Sequence, residues 1–367
     1  MPKLFEHTQL KDLELANRFI RSATWEGLAD ENGGCTFELV DRMVELVRGR
    51  VGLIITGHTY VHPAGQATPY QLSVDKDERI DGLTEMTKAV HREGGRIMMQ
   101  LAHGGLKAEP QLTDTMPIGP STGEGLVASP GKEMTIDDIQ QVVRSFSQAA
   151  QRAKAAGFDG VQIHAAHGYL LSQFLSPAIN QRTDEYGGSV ENRARIILEV
   201  LRNVRQVVGR NYPILIKVNS EDFLENGLSL TDFLQVALML SDGGIDAIEV
   251  SGGTFFSGRR IPSRKEITFD RDQAYFRKAS RALKKLGKAP VILVGGIRSY
   301  LLAERLVDEG IMDYIAMCRP FIREPLLIKR WQSGDLRKAT CISCNGCFGP
   351  ARSGRGILCV QDIPWKS

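Results

Sequence analysis

The stretch TIDDIQQVVRSFSQAAQRAKAAGFDGVQIHA, residues 135–165, contains one predicted helix and the strand that follows it. Thr135 and Asp138 form a capping-box pattern, and apolar residues then recur at helical spacing until Gly157. A short apolar run at 160–164 follows directly. Because the spacing of apolar residues changes from that of a helix to that of a strand within a few residues, the stretch predicts one repeat of an α/β fold.

The same alternation continues from residue 18 to about residue 335. Eight strands are predicted, each followed by a helical pattern: 19–24, 52–59, 96–103, 160–164, 214–219, 247–251, 291–294 and 314–317. Eight repeats in about 300 residues suit a (β/α)8 barrel, whereas a doubly wound sheet of that length usually divides into two domains. We therefore predict an α/β fold, a (β/α)8 TIM barrel at 1–335, with a short cysteine-rich extension at 336–367.

The composition excludes several classes of protein. The chain has 367 residues and 42% hydrophobic residues, and its formal charge of +3 is too small to indicate nucleic-acid binding. No apolar run approaches the ~18 residues of a membrane span, and the N-terminal residues lack the apolar core of a signal peptide. We expect a cytoplasmic protein that binds neither nucleic acid nor membrane.

Small and charged residues follow the last two predicted strands. Strand seven runs into Gly295-Gly296 and strand eight into Cys318-Arg319, and loops at these places are the usual phosphate site of the fold. Glycine exposes backbone N–H groups and arginine adds further donors, so the pattern predicts a phosphate-bearing ligand. The alternative is that the glycines serve only tight turns.

Two histidines and a tyrosine follow the fourth predicted strand in HAAHGY, residues 164–169. His164 and His167 converge only if the backbone bends, and Gly168 permits that bend. Two convergent imidazoles can bind a carbonyl or anionic oxygen, and Tyr169 adds a proton donor. No neighbouring carboxylate pattern supplies the third ligand that a metal requires. A packed or solvated histidine pair is the alternative.

The longer stretch HAAHGYLLSQFLSPAINQRTDEYGGSVENRARI, residues 164–196, resembles the old yellow enzyme family of NADH:flavin oxidoreductases. The segments GLIITG, MMQLAHGG, VGGI and CRPFIREP resemble it too, so the similarity spans 4–335. It implies an FMN-containing (β/α)8 barrel that uses NADH or NADPH to reduce activated C=C bonds. It also implies an enone or enoyl substrate and a homo-oligomer.

The resemblance implies a role for individual residues. His164 and His167 match the pair that binds the carbonyl oxygen of the substrate, and Tyr169 matches the tyrosine that protonates its α-carbon. The residues that match flavin contacts are Ala23, Thr24, Gly57, Gln100, Lys217, Gly295, Gly296, Cys318 and Arg319. Lys217 replaces the usual arginine and cannot make its bidentate contact, which affects the redox potential. Trp25 replaces a smaller residue and either crowds the flavin or packs at the barrel rim.

Four cysteines, Cys341, Cys344, Cys347 and Cys359, lie near the C-terminus. The segment CISCNGC resembles the iron–sulfur motif of trimethylamine dehydrogenase and 2,4-dienoyl-CoA reductase, which implies a [4Fe-4S] cluster. In those relatives the cluster passes electrons onward, so we expect an electron-transfer partner. The alternatives are that the cysteines bind zinc, form disulfide bonds or stay free.

Three functions remain open. The first is an ene-reductase, the second an amine or enoyl-CoA dehydrogenase component that works with a separate partner, and the third a flavin-binding electron-transfer module. The histidine pair with Tyr169 favours carbonyl-conjugated substrates, because methylamines would require an aromatic cage. The sequence has no nucleophile elbow, Walker loop or dinucleotide fingerprint, which disfavours hydrolase, kinase and dinucleotide-domain functions.

Overall fold

The computed structural model describes residues 2–125 and 131–362. Eight parallel strands close into a barrel, each pairing with the next along the chain and the eighth with the first. They are β1 (Phe19–Arg21), β2 (Leu53–Tyr60), β3 (Ile97–Ala102), β4 (Gly160–Ala165), β5 (Ile214–Asn219), β6 (Ala247–Ser251), β7 (Val291–Leu293) and β8 (Tyr314–Met317). The predicted (β/α)8 barrel is confirmed. Residue 1 and residues 126–130 of the predicted barrel lie outside the described residues, as do residues 363–367 of the predicted extension.

A helix follows each strand. The eight helices are α1 (Phe37–Arg48), α2 (Ile80–Arg92), α3 (Ile136–Ala155), α4 (Val190–Val208), α5 (Leu230–Asp242), α6 (Arg277–Leu286), α7 (Tyr300–Asp308) and α8 (Leu327–Gln332). Additional short helices are Pro110–Thr113, Leu170–Leu175, Arg319–Arg323 and Phe348–Arg352. Two small strand pairs lie outside the barrel, Thr8–Leu10 with Leu13–Leu15 and Ile118–Gly119 with Lys132–Glu133. Within the described ranges, no helix has the length and apolarity needed to cross a membrane.

Helix α3 shows why the repeats fold as predicted. The Thr135 hydroxyl accepts a hydrogen bond from the Asp138 backbone N–H at 3.1 Å, and the Asp138 carboxylate accepts one from the Thr135 N–H at 2.8 Å. The helix buries Val143 and Phe146 against the barrel layer, and a side chain of this kind contributes about 1.5–3 kcal/mol on burial. Gly157 then leaves the helix at a φ of +84°.

Strand β1 ends at Arg21, three residues before the predicted end. The buried Arg21 guanidinium donates to the Ile55 carbonyl at 2.6 Å and forms an ion pair with Glu26 at 2.8 Å. These contacts turn the chain away from the sheet. Residues 22–25 therefore run across the mouth of the barrel, where each of them lines a cavity.

The barrel interior is divided into an apolar part and a polar part. Leu10 and Leu15, from the N-terminal strand pair, pack with Ile20 and Leu53 in a buried apolar cluster inside the barrel. Toward the C-terminal ends of the strands, the interior side chains are polar and buried: Gln100, Gln162, Lys217 and Glu249. The polar part faces the end of the barrel at which the chemistry of this fold is located.

Candidate active site

A cavity of about 570 Å³ opens at the C-terminal ends of the strands. Eleven of the twelve site residues predicted on the barrel line it, namely Ala23, Thr24, Gln100, His164, His167, Tyr169, Lys217, Gly295, Gly296, Cys318 and Arg319. Six of the eight strands and their loops contribute these residues. The tertiary structure thus brings together groups that are up to 296 positions apart in the sequence.

Gly57 is the one predicted barrel residue that does not line the cavity. Its backbone N–H donates to Glu26 Oε1 at 3.1 Å, and a Cβ at this position would collide with the Glu26 carboxylate. The glycine therefore makes room for Glu26 at this position. The register of β2 against β3 shifts between Ile55 and His58, and His58 faces the cavity instead. Sequence reasoning missed His58 because a bulge changes which side chains point inward.

The predicted bend after β4 is present. The strand ends at Ala165, and both His167 and Gly168 adopt left-handed backbone conformations, with φ of +66° and +78°. This conformation costs a residue with a Cβ on the order of 1–2 kcal/mol, so other contacts must hold His167 in place. The His167 backbone N–H donates a hydrogen bond to the Asn219 side-chain oxygen at 3.0 Å. The Nε2 atom of His167 lies 2.7 Å from Ser251 Oγ.

The bend places three rings together in the cavity. The His164 and His167 ring centroids are 5.0 Å apart at an angle of 75°, and the Tyr169 ring lies 4.9 Å from His164. The His58 ring is 5.3 Å from Tyr169 on another side. His164 Nδ1 and His58 Nε2 are buried and have no hydrogen-bond partner among the described residues. Unpaired buried polar atoms of this kind are expected where a ligand supplies the partner.

Burial determines the protonation of these groups. It is the largest cause that lowers the pKa of His164 and of His167 well below the usual value, and the Lys217 charge adds to the effect in both. Burial, and then Lys217, lower the pKa of His58 to about 4. Burial raises the pKa of Tyr169, although nearby Arg352 opposes the rise. At neutral pH the cavity therefore contains neutral imidazoles and a protonated phenol.

A buried polar network lies beside the cavity at the centre of the barrel. Lys217 Nζ donates to Ser22 Oγ at 2.8 Å and lies 3.3 Å from Glu249 Oε1. Gln162 Nε2 donates to Glu249 Oε2 at 2.8 Å, and Gln100 Nε2 donates to Gln162 Oε1 at 2.7 Å. Sequence reasoning missed Ser22, Gln162 and Glu249. The signal for Gln162 and Glu249 was a polar residue inside an otherwise apolar strand, which in a parallel sheet requires a partner inside the barrel. Ser22 follows β1 and had no such signal.

The predicted phosphate loops also face the cavity. Gly295 and Gly296 have φ values of +133° and +70°, and a Cβ on Gly296 would lie 2.9 Å from the Tyr275 ring. The turn thus requires glycine. Arg319 begins the short helix after β8, and Arg298, which sequence reasoning missed, lines the same side. A tight glycine turn with two arginines, together with unpaired buried imidazole nitrogens, fits a phosphate-bearing flavin.

Residues 3–337 match the sequence model of the NADH:flavin oxidoreductase / NADH oxidase family. The chain belongs to this family. The resemblance to old yellow enzyme is thereby confirmed, and the family match supports FMN and NAD(P)H as cofactor and reductant. The prediction of a flavin oxidoreductase is confirmed at the level of the family.

Known relatives of this NADH:flavin oxidoreductase family member differ in length. NADH oxidase of Thermoanaerobacter brockii is 37% identical over 95% of this chain and 54% of its own length. NADPH dehydrogenase of Bacillus subtilis (strain 168) is 34% identical over 89% of this chain and 93% of its own. A 2-naphthoyl-CoA reductase in complex with 2-naphthoyl-CoA has a TM-score of 0.90 at 27% identity, covering 97% of this chain and 56% of that one. The chain thus spans about half the length of the first and third of these relatives.

In this family member, the segment that contains the cysteines forms part of the cavity wall. Ser343, Asn345, Phe348 and Arg352 line the cavity from this segment. Trp25 lines it as well and packs against a small apolar cluster, whose members are Cys347, Ala351 and Ile357. These contacts support the packing alternative for Trp25, and its crowding of the flavin stays a prediction.

The four cysteines themselves do not line the cavity. Cys344 is exposed, Cys347 is buried, and Cys341 and Cys359 are partly buried. Burial, and then the nearby Cys341, raise the pKa of Cys347 to about 11. Over residues 2–125 and 131–362, which include all four cysteines, no three His, Cys, Asp or Glu side chains are arranged to hold a metal ion. The described residues therefore do not show a site for the predicted [4Fe-4S] cluster.

Proposed function

We propose that this chain reduces the activated C=C bond of α,β-unsaturated carbonyl compounds, with FMN as cofactor and NADH or NADPH as reductant. The observation that carries the proposal is the placement of His164, His167 and Tyr169 around one part of the cavity. Two hydrogen-bond donors and a proton donor are the groups that the reduction of a conjugated carbonyl compound requires.

In the proposed mechanism, His164 and His167 donate hydrogen bonds to the carbonyl oxygen of the substrate. Negative charge develops on this oxygen when hydride reaches the β-carbon, and pre-positioned donors stabilise that charge. His167 is held in position by Asn219 and Ser251. The low pKa of both imidazoles keeps them neutral, so they act as hydrogen-bond donors and not as resident cations.

Tyr169 is the proposed proton donor to the α-carbon. Its phenol is protonated at neutral pH because burial raises its pKa. The rings of His58 and His164 pack at 5.3 and 4.9 Å from it, and Phe255 packs edge-on at 5.5 Å. This packing restricts the phenol to one region of the cavity, as general acid catalysis requires.

The remaining cavity residues are proposed to hold the cofactor. Gly295, Gly296, Cys318, Arg298 and Arg319 surround the side proposed for the FMN phosphate. The residues proposed to border the ring are Ala23, Thr24, Gln100 and Lys217. When bound there, FMN supplies the hydride for the β-carbon.

Purified protein tests this function directly. We expect FMN to copurify and 2-cyclohexenone to accelerate NADH or NADPH oxidation under anaerobic conditions. A preparation that retains FMN but whose reduced form is not reoxidised by any enone would contradict the proposal. A comparison of NADH with NADPH at equal concentration identifies the preferred reductant.

Acyl-CoA thioesters are a second candidate substrate class. Lys107 and Arg352 are cationic residues that line the cavity, so they can face the phosphates of a bound CoA. The similarity to a 2-naphthoyl-CoA reductase supports this class. Crotonyl-CoA reduction that falls in Arg352→Met, while cyclohexenone reduction does not, would favour it.

The [4Fe-4S] cluster and a separate electron-transfer partner remain predictions supported by the cysteine spacing alone. Anaerobically purified protein should contain close to four irons per chain if the cluster forms. Stoichiometric zinc, or protein free of metal, would contradict it. A homo-oligomer and a cytoplasmic location are likewise proposals, which sedimentation and cell fractionation test.

A further inference from the structure

Gln100 and Lys217, the two residues proposed to contact the pyrimidine edge of the flavin, are connected behind the cavity. The connection runs through Gln162 and Glu249, neither of which lines the cavity. The hydrogen bonds run from Gln100 to Gln162 at 2.7 Å and from Gln162 to Glu249 at 2.8 Å. Glu249 in turn pairs with Lys217 at 3.3 Å. All four side chains are at most 2% exposed.

The carboxylate determines the direction of this chain of hydrogen bonds. Glu249 as a carboxylate only accepts, so Gln162 must present its NH2 group to it and its oxygen to Gln100. Gln100 must then donate one N–H to the Gln162 oxygen. Its own side-chain carbonyl oxygen and second N–H remain available to the cavity. One buried charge thereby orients an amide that lies two hydrogen bonds away.

The same carboxylate offsets the charge of Lys217. Ser22 lies between the two groups, accepting from Lys217 Nζ and donating to Glu249 Oε1. The Lys217 charge reaches the cavity, since it contributes to the low pKa of His58, His164 and His167. An opposite charge 3.3 Å from the ammonium reduces the positive potential that a cavity ligand experiences.

We propose that Glu249 is a positioning residue for FMN, which orients Gln100 and offsets the charge of Lys217, and so lowers the reduction potential of the bound flavin. The inference rests on the proposed assignment of Gln100 and Lys217 to the flavin. Reduction of FMN adds negative charge to the pyrimidine part of its ring. A cation there favours the reduced form, and a carboxylate paired with that cation weakens the preference.

Three variants and one control test the proposal through the midpoint potential of the bound FMN. Glu249→Gln keeps the shape of the side chain and removes its charge, so the potential should become more positive. The ratio of reduced to oxidised flavin at a fixed potential should rise at least tenfold, which is about 30 mV for a two-electron couple. Lys217→Gln should shift the potential in the negative direction. The double variant, which carries neither charge, should lie between the two single variants and close to the wild type.

Glu26→Gln is the matched control, because Glu26 is also buried and paired, with Arg21, and does not line the cavity. It should shift the potential much less than Glu249→Gln. If Glu249→Gln does not fold, the double variant can be compared with Lys217→Gln instead. The proposal requires the double variant to have the more positive midpoint potential of the two. The FMN dissociation constant of the oxidised protein, from fluorescence titration, provides a second readout and should change less than that of the reduced protein.

The role of Glu249 would be overturned if Glu249→Gln had the same midpoint potential as the wild type. It would also be overturned if the double variant had the same midpoint potential as Lys217→Gln. If the wild type reduces enones in that case, the proposed function stands. Potentials that shift as expected in a protein that does not reduce enones would support the role of Glu249 and overturn the function.

Discussion

The Arg319 guanidinium donates a hydrogen bond from Nη1 to Oδ1 of Asn345 at 2.8 Å. Arg319 begins the helix after β8, whereas Asn345 lies between two cysteines of the C-terminal segment. Asn345 Nδ2 also donates to the Ser263 carbonyl at 2.6 Å, in the loop after β6. The proposed phosphate site and the cysteine segment are therefore one connected structure, and a change in either should affect the other.

Arg319→Ala should weaken FMN binding at least tenfold, because it removes a cationic donor from the proposed phosphate site. It should also increase hydrogen exchange in 341–352, since the bond to Asn345 is lost. Fluorescence titration and hydrogen-exchange mass spectrometry measure the two effects. Asn345→Ala is the control, which should increase exchange in the segment with a smaller loss of FMN affinity. Wild-type FMN affinity in Arg319→Ala would contradict the phosphate assignment.

Replacing His164 or His167 by alanine should weaken binding of phenols and enones while FMN stays bound. Each lost hydrogen bond to the ligand oxygen is expected to cost about 1–3 kcal/mol, or about 5- to 150-fold in affinity. Spectral titration of the flavin with a phenol measures the change. His7→Ala, at an exposed site, serves as the control and should bind as the wild type does. The assignment would be wrong if the double variant bound phenols normally.

Tyr169→Phe should slow the reoxidation of the reduced enzyme by an enone, because the proton donor to the α-carbon is removed. Reduction of the enzyme by NAD(P)H should be unchanged, since no proton from Tyr169 is needed in that half-reaction. Anaerobic stopped-flow measurements separate the two half-reactions. Equal slowing of both would indicate that Tyr169 acts only through the packing of its ring.

His103 should make the protein less stable in mild acid. It is buried outside the cavity, its Nδ1 accepts from the Gly105 N–H at 3.1 Å, and burial lowers its pKa to about 3. Between about pH 3 and pH 6.5 the unfolded chain binds a proton at this residue that the folded chain does not. The free energy of unfolding therefore falls as the pH decreases, by about 2 kcal/mol from this residue between pH 7.5 and pH 5.

His103→Asn tests this effect, because the Asn oxygen can accept the same backbone hydrogen bond and does not titrate. Urea unfolding at pH 7.5 and pH 5 should show a smaller loss of stability in the variant than in the wild type. The difference between the two proteins isolates His103 from the other buried histidines. An identical pH dependence in both would show that His103 is not neutral in the folded state, or that it is not buried.

The repeats of helix and strand were predictable because each signal is local. The Thr135–Asp138 capping box spans four residues, and the structure contains it where the sequence indicates. The bend that brings His164, His167 and Tyr169 together was also predictable, since six consecutive residues contain all three rings and the glycine. Hydrophobic period and turn chemistry act over such distances, so the sequence reveals them directly.

The tertiary structure decided the features that depend on contacts between distant strands. His58 faces the cavity because of a bulge in β2, and the local spacing of apolar residues does not reveal such a bulge. Glu249 pairs with Lys217 because neighbouring strands of a closed barrel direct these side chains into one buried space. The cysteine segment borders the cavity through the bond between Arg319 and Asn345. By itself, the sequence determined the barrel and the rings of one loop, because those follow from neighbouring residues. Strand register, the buried charge pair and the cavity wall depend on which distant residues meet when the barrel closes, and this is a property of the folded chain.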